Sequence, residues 1–463
     1  MKTHLSKWTK FVLRWGVAAF GIAWVLAHTW FHDHVIVLGQ DQRPAEIRVE
    51  DNQPPTSAQF WAFYAGRRQY PIDRANIWTP GSESSVSIFA PGGLHEQAKV
   101  LAIHPAPDQK PDEPPLELLI QDPRTGNARK ILPSQVVGGY TVSLPYPPVE
   151  IGLIRLVRQA KAAYLLWALL LLPVSYLITS RRWHMLLGAQ DIHMTQGRSF
   201  VLNMVGAFYN SFMPGSTGGD LAKAYYAARH TTHRVRAVLS VIIDRILGLV
   251  ALIVLGGVMA TLQWHIPTCR HVAYVCALLI GLMSTGLFIF YHPHMRRRSG
   301  LEWLLRHLPM QRQVHHAIEA MELYGRRPWI VIAAVVMTFP VHMTSIVSAT
   351  FAGKAFGLPL SAMYYWAIIP VITLVGAIPI SPQGVGVMEP LTVLLTAPQG
   401  ATVGQALALV MAIRFCPIFW NLAASIFVLR GGYHAPTAQE AETLEQDDDD
   451  PAPRQPTEVG ASA

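Results

Sequence analysis

Asn210-Ser211-Phe212-Met213-Pro214-Gly215-Ser216-Thr217-Gly218-Gly219-Asp220 interrupts an apolar run, and Lys223 follows one turn later. A second interruption, Pro379-Ile380-Ser381-Pro382-Gln383-Gly384-Val385-Gly386-Val387-Met388-Glu389, falls in the other half of the hydrophobic part of the chain. Each places proline, then glycine, then a carboxylate. Irregular backbone at membrane depth must be buried in protein or line a water-filled cavity, because lipid cannot satisfy its amides. Paired broken helices in matching positions of two halves point to a transporter site. The fold expected is an all-α polytopic membrane protein with two re-entrant or broken helices in an inverted arrangement. The first would enter from the cytoplasmic side and the second from outside.

The flanking sequence supports a membrane. Of 463 residues, 51% are hydrophobic and only 14% charged, against about 25% charged in soluble domains. Stretches of the required ~20 apolar residues fall at 11–31, 162–179, 237–262, 271–291, 329–352 and 402–428; 199–217 and 362–397 are the broken segments. The first reads as an uncleaved signal anchor, since Lys2, Lys7, Lys10 and Arg14 precede or open it and no small-x-small site follows. Basic residues then set the orientation. The N-terminus, the segment after 179 with Arg181, Arg182 and Arg198, and the loop 292–328 should be cytoplasmic in a bacterial inner membrane. Arg155, Arg158 and Lys161 run against this scheme.

Four regions follow: a cytoplasmic segment and anchor over 1–32, an extracytoplasmic β-rich domain over 33–158, a transmembrane domain over 159–430 and an acidic, disordered cytoplasmic tail over 431–463. In the second, Ile47–Val49, Val86–Phe89, Leu116–Ile120 and Gly139–Leu144 are β-prone, and Pro123–Gly126 is a turn signal. A small β-sandwich is expected. His28, His32 and His34 with Asp33 read as a wet interfacial cluster rather than a metal site, and no metal or cofactor is expected. Residues 33–150 and the tail are both net acidic, so the basic excess concentrates on the loops and the partner is anionic lipid rather than nucleic acid. Cys269, Cys276 and Cys416 have neither disulfide-scaffold nor metal spacing.

Charges inside spans are the candidate chemistry. Gly384 and Gly386 permit a tight turn from which a half-helix starts near Val387. That places Glu389 in a first turn, where free N–H groups favour an anion. A dipole-matched structural carboxylate and a proton carrier or cation partner are both open readings. Asp244 and Arg245 lie in one span and Arg414 near the middle of another. A structural ion pair and a ligand role are open for each. Arg414 could pair with Glu389, Asp220, Asp244 or an anionic substrate, and Arg suits bidentate phosphate contact. Pro417 frees the Ile413 carbonyl beside it. His342 reads as a satisfied core histidine, and Tyr225, Tyr226 and Trp366 as interface anchors.

At Asn210, Pro214-Gly215, Gly218-Gly219-Asp220 and Lys223, at Asp244-Arg245 with Gly248, and at Pro379-Ile380-Ser381-Pro382 with Gly384, Gly386 and Glu389, the chain resembles the lysylphosphatidylglycerol synthase transmembrane-region family, the flippase-like domain proteins. Ser180-Arg181-Arg182-Trp183 also fits. The resemblance covers about residues 160–430 and implies re-entrant helices. Known members translocate phospholipids or serve hopanoid or polyprenyl-linked glycolipid pathways. Residue 223 is Lys where Arg is common, and the long insertion between the first two spans is unusual. No aminoacyl-transferase domain follows residue 430, so lysyl-lipid synthesis is not implied. The function expected is a non-enzymatic lipid transporter, in which Arg245 and Arg414 would hold phosphate while Asp220 and Glu389 would balance charge or carry a proton. No ATP-binding loop is present to drive it. The alternatives are a scaffold recruiting an extracytoplasmic partner and a head-group transferase with Asp220 as base. A homo-oligomer is compatible with either.

Overall fold

The computed structural model describes residues 30–434, apart from 40–43, 52, 54–57, 65–67, 82–84, 90–94, 105–115, 141–148, 213–217, 299–310 and 378–383, together with Ala19 and Ala23. Most of the expected 11–31 anchor, His28 and nearly all of the acidic tail therefore lie outside the described residues. So do the candidate residues Pro214 and Ser381.

Among the described residues, nine strands build the N-terminal domain: β1 (His34–Leu38), β2 (Pro44–Arg48), β3 (Gln59–Tyr64), β4 (Arg68–Asp73), β5 (Ile77–Pro80), β6 (Ser85–Phe89), β7 (His95–His104), β8 (Glu117–Gln121) and β9 (Ala128–Ile131). Every pairing is antiparallel. A seven-stranded sheet runs β2-β1-β5-β7-β8-β9, with β6 also on β7, and β3-β4 form a separate hairpin. The domain is β-rich as expected, but it is not a sandwich of two comparable sheets. The hairpin instead joins the large sheet at its edge through the Val49–Ala62 bridge. It buries Phe60, Ala62 and Ile72 with Val35, Val37 and Ile77. The β8–β9 turn is held by the Asp122 carboxylate, which accepts the Arg124 and Thr125 N–H groups. Gly126 follows in the left-handed region at φ 72°, which suits glycine. Of the expected strand at 139–144, residues 139–140 are not extended into a ladder and the rest lies outside the described residues.

The helices are α1 (Leu153–Gln159), α2 (Ala162–Leu170), α3 (Leu172–Ala189), α4 (Gln196–Phe212), α5 (Gly218–Ala228), α6 (Arg234–Leu262), α7 (Pro267–Tyr291), α8 (Pro293–Arg298), α9 (Gln311–Arg326), α10 (Pro328–Ala355), α11 (Ala362–Ala377), α12 (Met388–Thr396), α13 (Val403–Ala423) and α14 (Ser425–Gly431). Among the described residues, five helical stretches are long and apolar enough to cross a membrane: Ala162–Ala189, Arg234–Leu262, Pro267–Tyr291, Pro328–Ala355 and Val403–Gly431. Each matches one of the clean spans expected from the sequence to within a few residues at its start, and the protein is a multi-pass membrane protein. The first is longer than expected. Because α3 continues to Ala189, Arg181 and Arg182 sit on a helix and not in a loop.

The chain forms two compact units. One contains the β domain, residues 253–277 and 343–417, and so holds α11 and α12. The other contains residues 173–252, 278–342 and 418 onward, and so holds α4 and α5. In the first unit the β domain is tied to the short helix α1, which precedes the first membrane helix, by Asp33, only 1% exposed. Its carboxylate accepts the Gly152 N–H at 2.8 Å and the Arg155 guanidinium at 2.6 Å. This pairing neutralises one of the charges that ran against the orientation scheme. It also overturns the wet histidine cluster. Asp33 and His34 are both buried, His32 bonds Asp51, and burial pushes the His34 imidazole down to about 4. In the second unit Tyr225 and Tyr226 are core residues packed with Trp183 and Leu202, not interface anchors.

Candidate functional site: two helix breaks, each with a carboxylate–arginine pair

The second unit builds its hairpin from α4 and α5. At 17 and 11 residues and ~1.5 Å per residue, neither helix spans the ~30 Å core. Their close approach depends on glycine: a Cβ on Gly219 would fall 1.8 Å from the Gly206 carbonyl oxygen. Gly219 also donates its N–H to the Asn210 amide oxygen at 2.9 Å. Gly218 and Gly219 are buried, and Asp220 is the third residue of α5, within its anion-favouring first turn. Arg245 of α6 donates to Asp220. Both side chains are about one third exposed, 30% and 31%.

Behind that pair lies a second, buried cluster. Arg182 of α3 donates through Nε to Asp244 Oδ1 at 2.8 Å, through a terminal nitrogen to Thr338 Oγ1 at 2.8 Å, and through the other to the Asp244 carbonyl at 3.2 Å. Lys223 Nζ reaches Asp244 Oδ2 at 3.3 Å and Asn203 Oδ1 at 3.2 Å. It also lies 4.0 Å from the centre of the Trp183 ring. Two cations share one carboxylate, all three nearly fully buried. Asp244 and Arg245 therefore do not pair with each other. Neighbours on a helix point ~100° apart, and each finds its own partner. Arg182, Trp183, Asn203 and Thr338 complete the cluster. Only the Ser180–Trp183 stretch carried a signal for it, and the loop reading of the two arginines masked their difference: Arg181 is exposed, Arg182 buried.

The first unit builds the other hairpin from α11 and α12, of 16 and nine residues. Gly384 and Gly386 lie in the left-handed region at φ 69° and 86°. A Cβ on Gly384 would meet the Gly376 backbone at 2.7 Å. The half-helix starts at Met388 and Glu389 is its second residue. The Glu389 carboxylate, 0% exposed, accepts the Gly386 N–H at 2.8 Å and the Arg414 guanidinium at 2.5 Å. Arg414 also donates to the Gly384 carbonyl at 2.9 Å. His342 in the other unit is satisfied, with Nε2 2.8 Å from the Gly248 carbonyl oxygen.

The two pairs repeat. Carboxylate and arginine are 25 residues apart in both, and Glu389 and Arg414 each lie 169 residues after Asp220 and Arg245. The helical stretches carrying the arginines, Arg234–Leu262 and Val403–Gly431, are both 29 residues long and begin 169 residues apart. A break, a short half-helix with a carboxylate in its first turn, and a long helix with the matching arginine thus occur twice. No group of three or more metal-binding side chains occurs among the described residues.

This architecture agrees with the similarity of the sequence to known proteins. The chain belongs to the family described as Lysylphosphatidylglycerol synthase TM region, which matches residues 152–425 and so includes both hairpins and both pairs. It is also similar to a UPF0104 membrane protein of Methanothermobacter thermautotrophicus, strain Delta H, 21% identical over 291 residues that make up 58% of this chain and 84% of that protein.

Proposed function

We propose that this protein is a non-enzymatic lipid transporter that moves a phospholipid or lipid-linked head group across the bacterial inner membrane. The observation that carries the reading is the duplicated carboxylate–arginine pair at a helix break. Membership of the family supports a general role in lipid translocation. Two crossings, α6 and α7, lie between α3 and its counterpart α10, so the second copy runs opposite to the first, which supports an inverted pair of re-entrant hairpins. The residue chemistry fits a phosphate-bearing head group. Arg245 and Arg414 are fork-shaped donors suited to phosphate, and each already holds a carboxylate that an incoming anion must displace or share.

The two sites differ in access. Asp220–Arg245 is a third exposed, whereas Glu389–Arg414 is nearly sealed. A head group would therefore engage Arg245 first, near the Gly219–Asn210 hydrogen bond, with Lys223 and Asp244 setting the charge behind it. Opening the Gly384–Gly386 turn would expose Arg414 in exchange. Pro214 and Ser381 belong to the same two breaks by sequence. The N-terminus and tail would be cytoplasmic and residues 33–158 extracytoplasmic.

Native mass spectrometry of the purified protein tests the reading. The wild type should retain a specific anionic lipid, and Arg245→Ala should lose it while keeping its melting temperature. Only bulk lipids, retained equally by both proteins, would remove the phosphate role and favour a scaffold.

A further inference from the structure

The unit that holds the second hairpin contains a cavity of about 120 Å³, lined in part by Ser348, Ala349 and Ala352 of α10, Thr373 of α11, and Ile413 and Cys416 of α13. Of the three hydroxyls in its wall, those of Ser345, Ser348 and Thr373, the latter two are turned to backbone. Ser348 donates to the Ala168 carbonyl at 2.6 Å, and Thr373 to the Ile369 and Pro370 carbonyls at 2.8 and 3.0 Å. A water needs two to four polar partners to stay in a cavity, while apolar cavities of on the order of 150 Å³ stay dry and admit small hydrocarbons. Thr373, Ile413 and Cys416 are half-buried, so the cavity reaches the rim of the helix bundle, and Phe415 beside them is exposed.

The internal repeat shows what is special about this space. Shifted back by 169 residues, Ala352 corresponds to Trp183 and Ile413 to Asp244; Phe351 and Thr392 correspond to Arg182 and Lys223. In the first copy that volume is filled by an indole and a buried cluster of three ions. In the second copy the indole is a methyl group, the ions are gone, and the volume is open.

We infer that this cavity seats a hydrocarbon segment of a lipid tail, giving the second copy a tail site next to the Glu389–Arg414 pair. The two sites share α11 and α13: Thr373 lies one turn before Gly376, which packs against Gly384 and Met388, and Ile413 adjoins Arg414. The inference rests on the lipid reading above. The attraction is packing, not the hydrophobic effect, because a tail leaving the bilayer leaves an equally apolar medium. The seat is therefore weak and exchangeable, as transport requires.

The test uses the full-length protein in nanodiscs with a phosphatidylglycerol that carries a diazirine midway along one tail. After photolysis, the adduct should map to the α13 segment containing Ile413 and Cys416. Ala352→Leu fills the void, so labelling there should fall several-fold while the melting temperature holds or rises, as cavity filling permits. Ala349→Leu, on another part of the wall, provides the same reading should the first variant fail to fold. Absence of label on α13 in the wild type, or labelling unchanged in the folded Leu variants, overturns the seat. Binding is read without turnover. Loss of translocation with labelling intact would count against the transport reading alone, and loss of labelling with translocation intact against the seat alone.

Discussion

Asp244→Asn is the substitution with the most sharply defined consequence for stability. Among the described residues, Asp244 is the carboxylate that Arg182 and Lys223 both contact, and it is 6% exposed. The amide removes the charge but leaves both cations in place, raising the formal charge of the trio from +1 to +2 in a site with little water. Removing one partner of a buried ion pair typically costs about 3–5 kcal/mol, because the remaining charge is stranded. That corresponds to a fall in melting temperature of roughly 6–20 °C for a unit of this size. Lys223→Met should cost less, since it takes the trio to zero and leaves the Arg182–Asp244 bonds intact. The double variant then separates this account from simple additivity: Lys223→Met should recover part of the loss caused by Asp244→Asn, with a coupling of about 0.5–3 kcal/mol. Thermal unfolding of detergent-solubilised protein, followed by the fluorescence of the buried Trp183 among the other tryptophans, provides the readout. An Asp244→Asn protein that melts with the wild type, or a double variant that shows the plain sum, would refute the shared-carboxylate reasoning.

Other consequences are equally direct. Gly219→Ala should prevent α4 and α5 from closing, because its Cβ would overlap the Gly206 carbonyl oxygen; loss of folded protein by size-exclusion chromatography is expected, whereas Gly188→Ala, with open space at its Cβ, should express normally. Asp33→Ala should strand Arg155 and release the Gly152 N–H, lowering stability by about 3 kcal/mol or more and exposing the junction around residue 152 to limited proteolysis. Glu150 governs the pH response of the same junction. Burial, reinforced by the charge of Glu46 and opposed by the Val403 N–H, pushes its carboxyl up to about 7. Between its ordinary value of 4.5 and about 7 the folded chain holds a proton that the unfolded chain has released, so this group's contribution worsens as pH rises through that window. Glu150→Gln should therefore melt above the wild type at pH 8 and lose that advantage by pH 4.5; parallel curves at both pH values would contradict the assignment.

The membrane helices were legible because length and apolar content are one-dimensional properties. Both hairpins were legible for a related reason: Pro and Gly break an apolar run visibly, and a carboxylate beside the break stands out. Pairing was harder. Glu389 was one of four partners open to Arg414, and the choice was made by the Gly384–Gly386 turn, whose left-handed backbone brings the α12 N-terminus to Arg414. Arg182 was hidden because sequence cannot tell an arginine at the end of a span from one in the following loop; two further turns of α3 bury it. The β domain was legible mainly where Val, Ile and Leu cluster, at β2, β6 and β8. Strands β3 and β4, with Gln59, Arg68, Gln69 and Pro71, form a two-stranded hairpin in which polar and proline residues are tolerated. Asp33 and Arg155 are 122 residues apart, a separation at which only the folded chain reveals a pair.

The central claim is that the two carboxylate–arginine pairs handle the head group of a lipid in transit. A dithionite-quenching assay on proteoliposomes with head-group-labelled phosphatidylglycerol tests it most directly, comparing wild type with Arg245→Ala, Arg414→Ala and Glu389→Gln, each confirmed as folded. The account predicts accelerated loss of inner-leaflet protection with the wild type and a return to the protein-free rate in both arginine variants. Wild-type liposomes that quench no faster than empty ones with every lipid class tried, or arginine variants as active as the wild type, would contradict it.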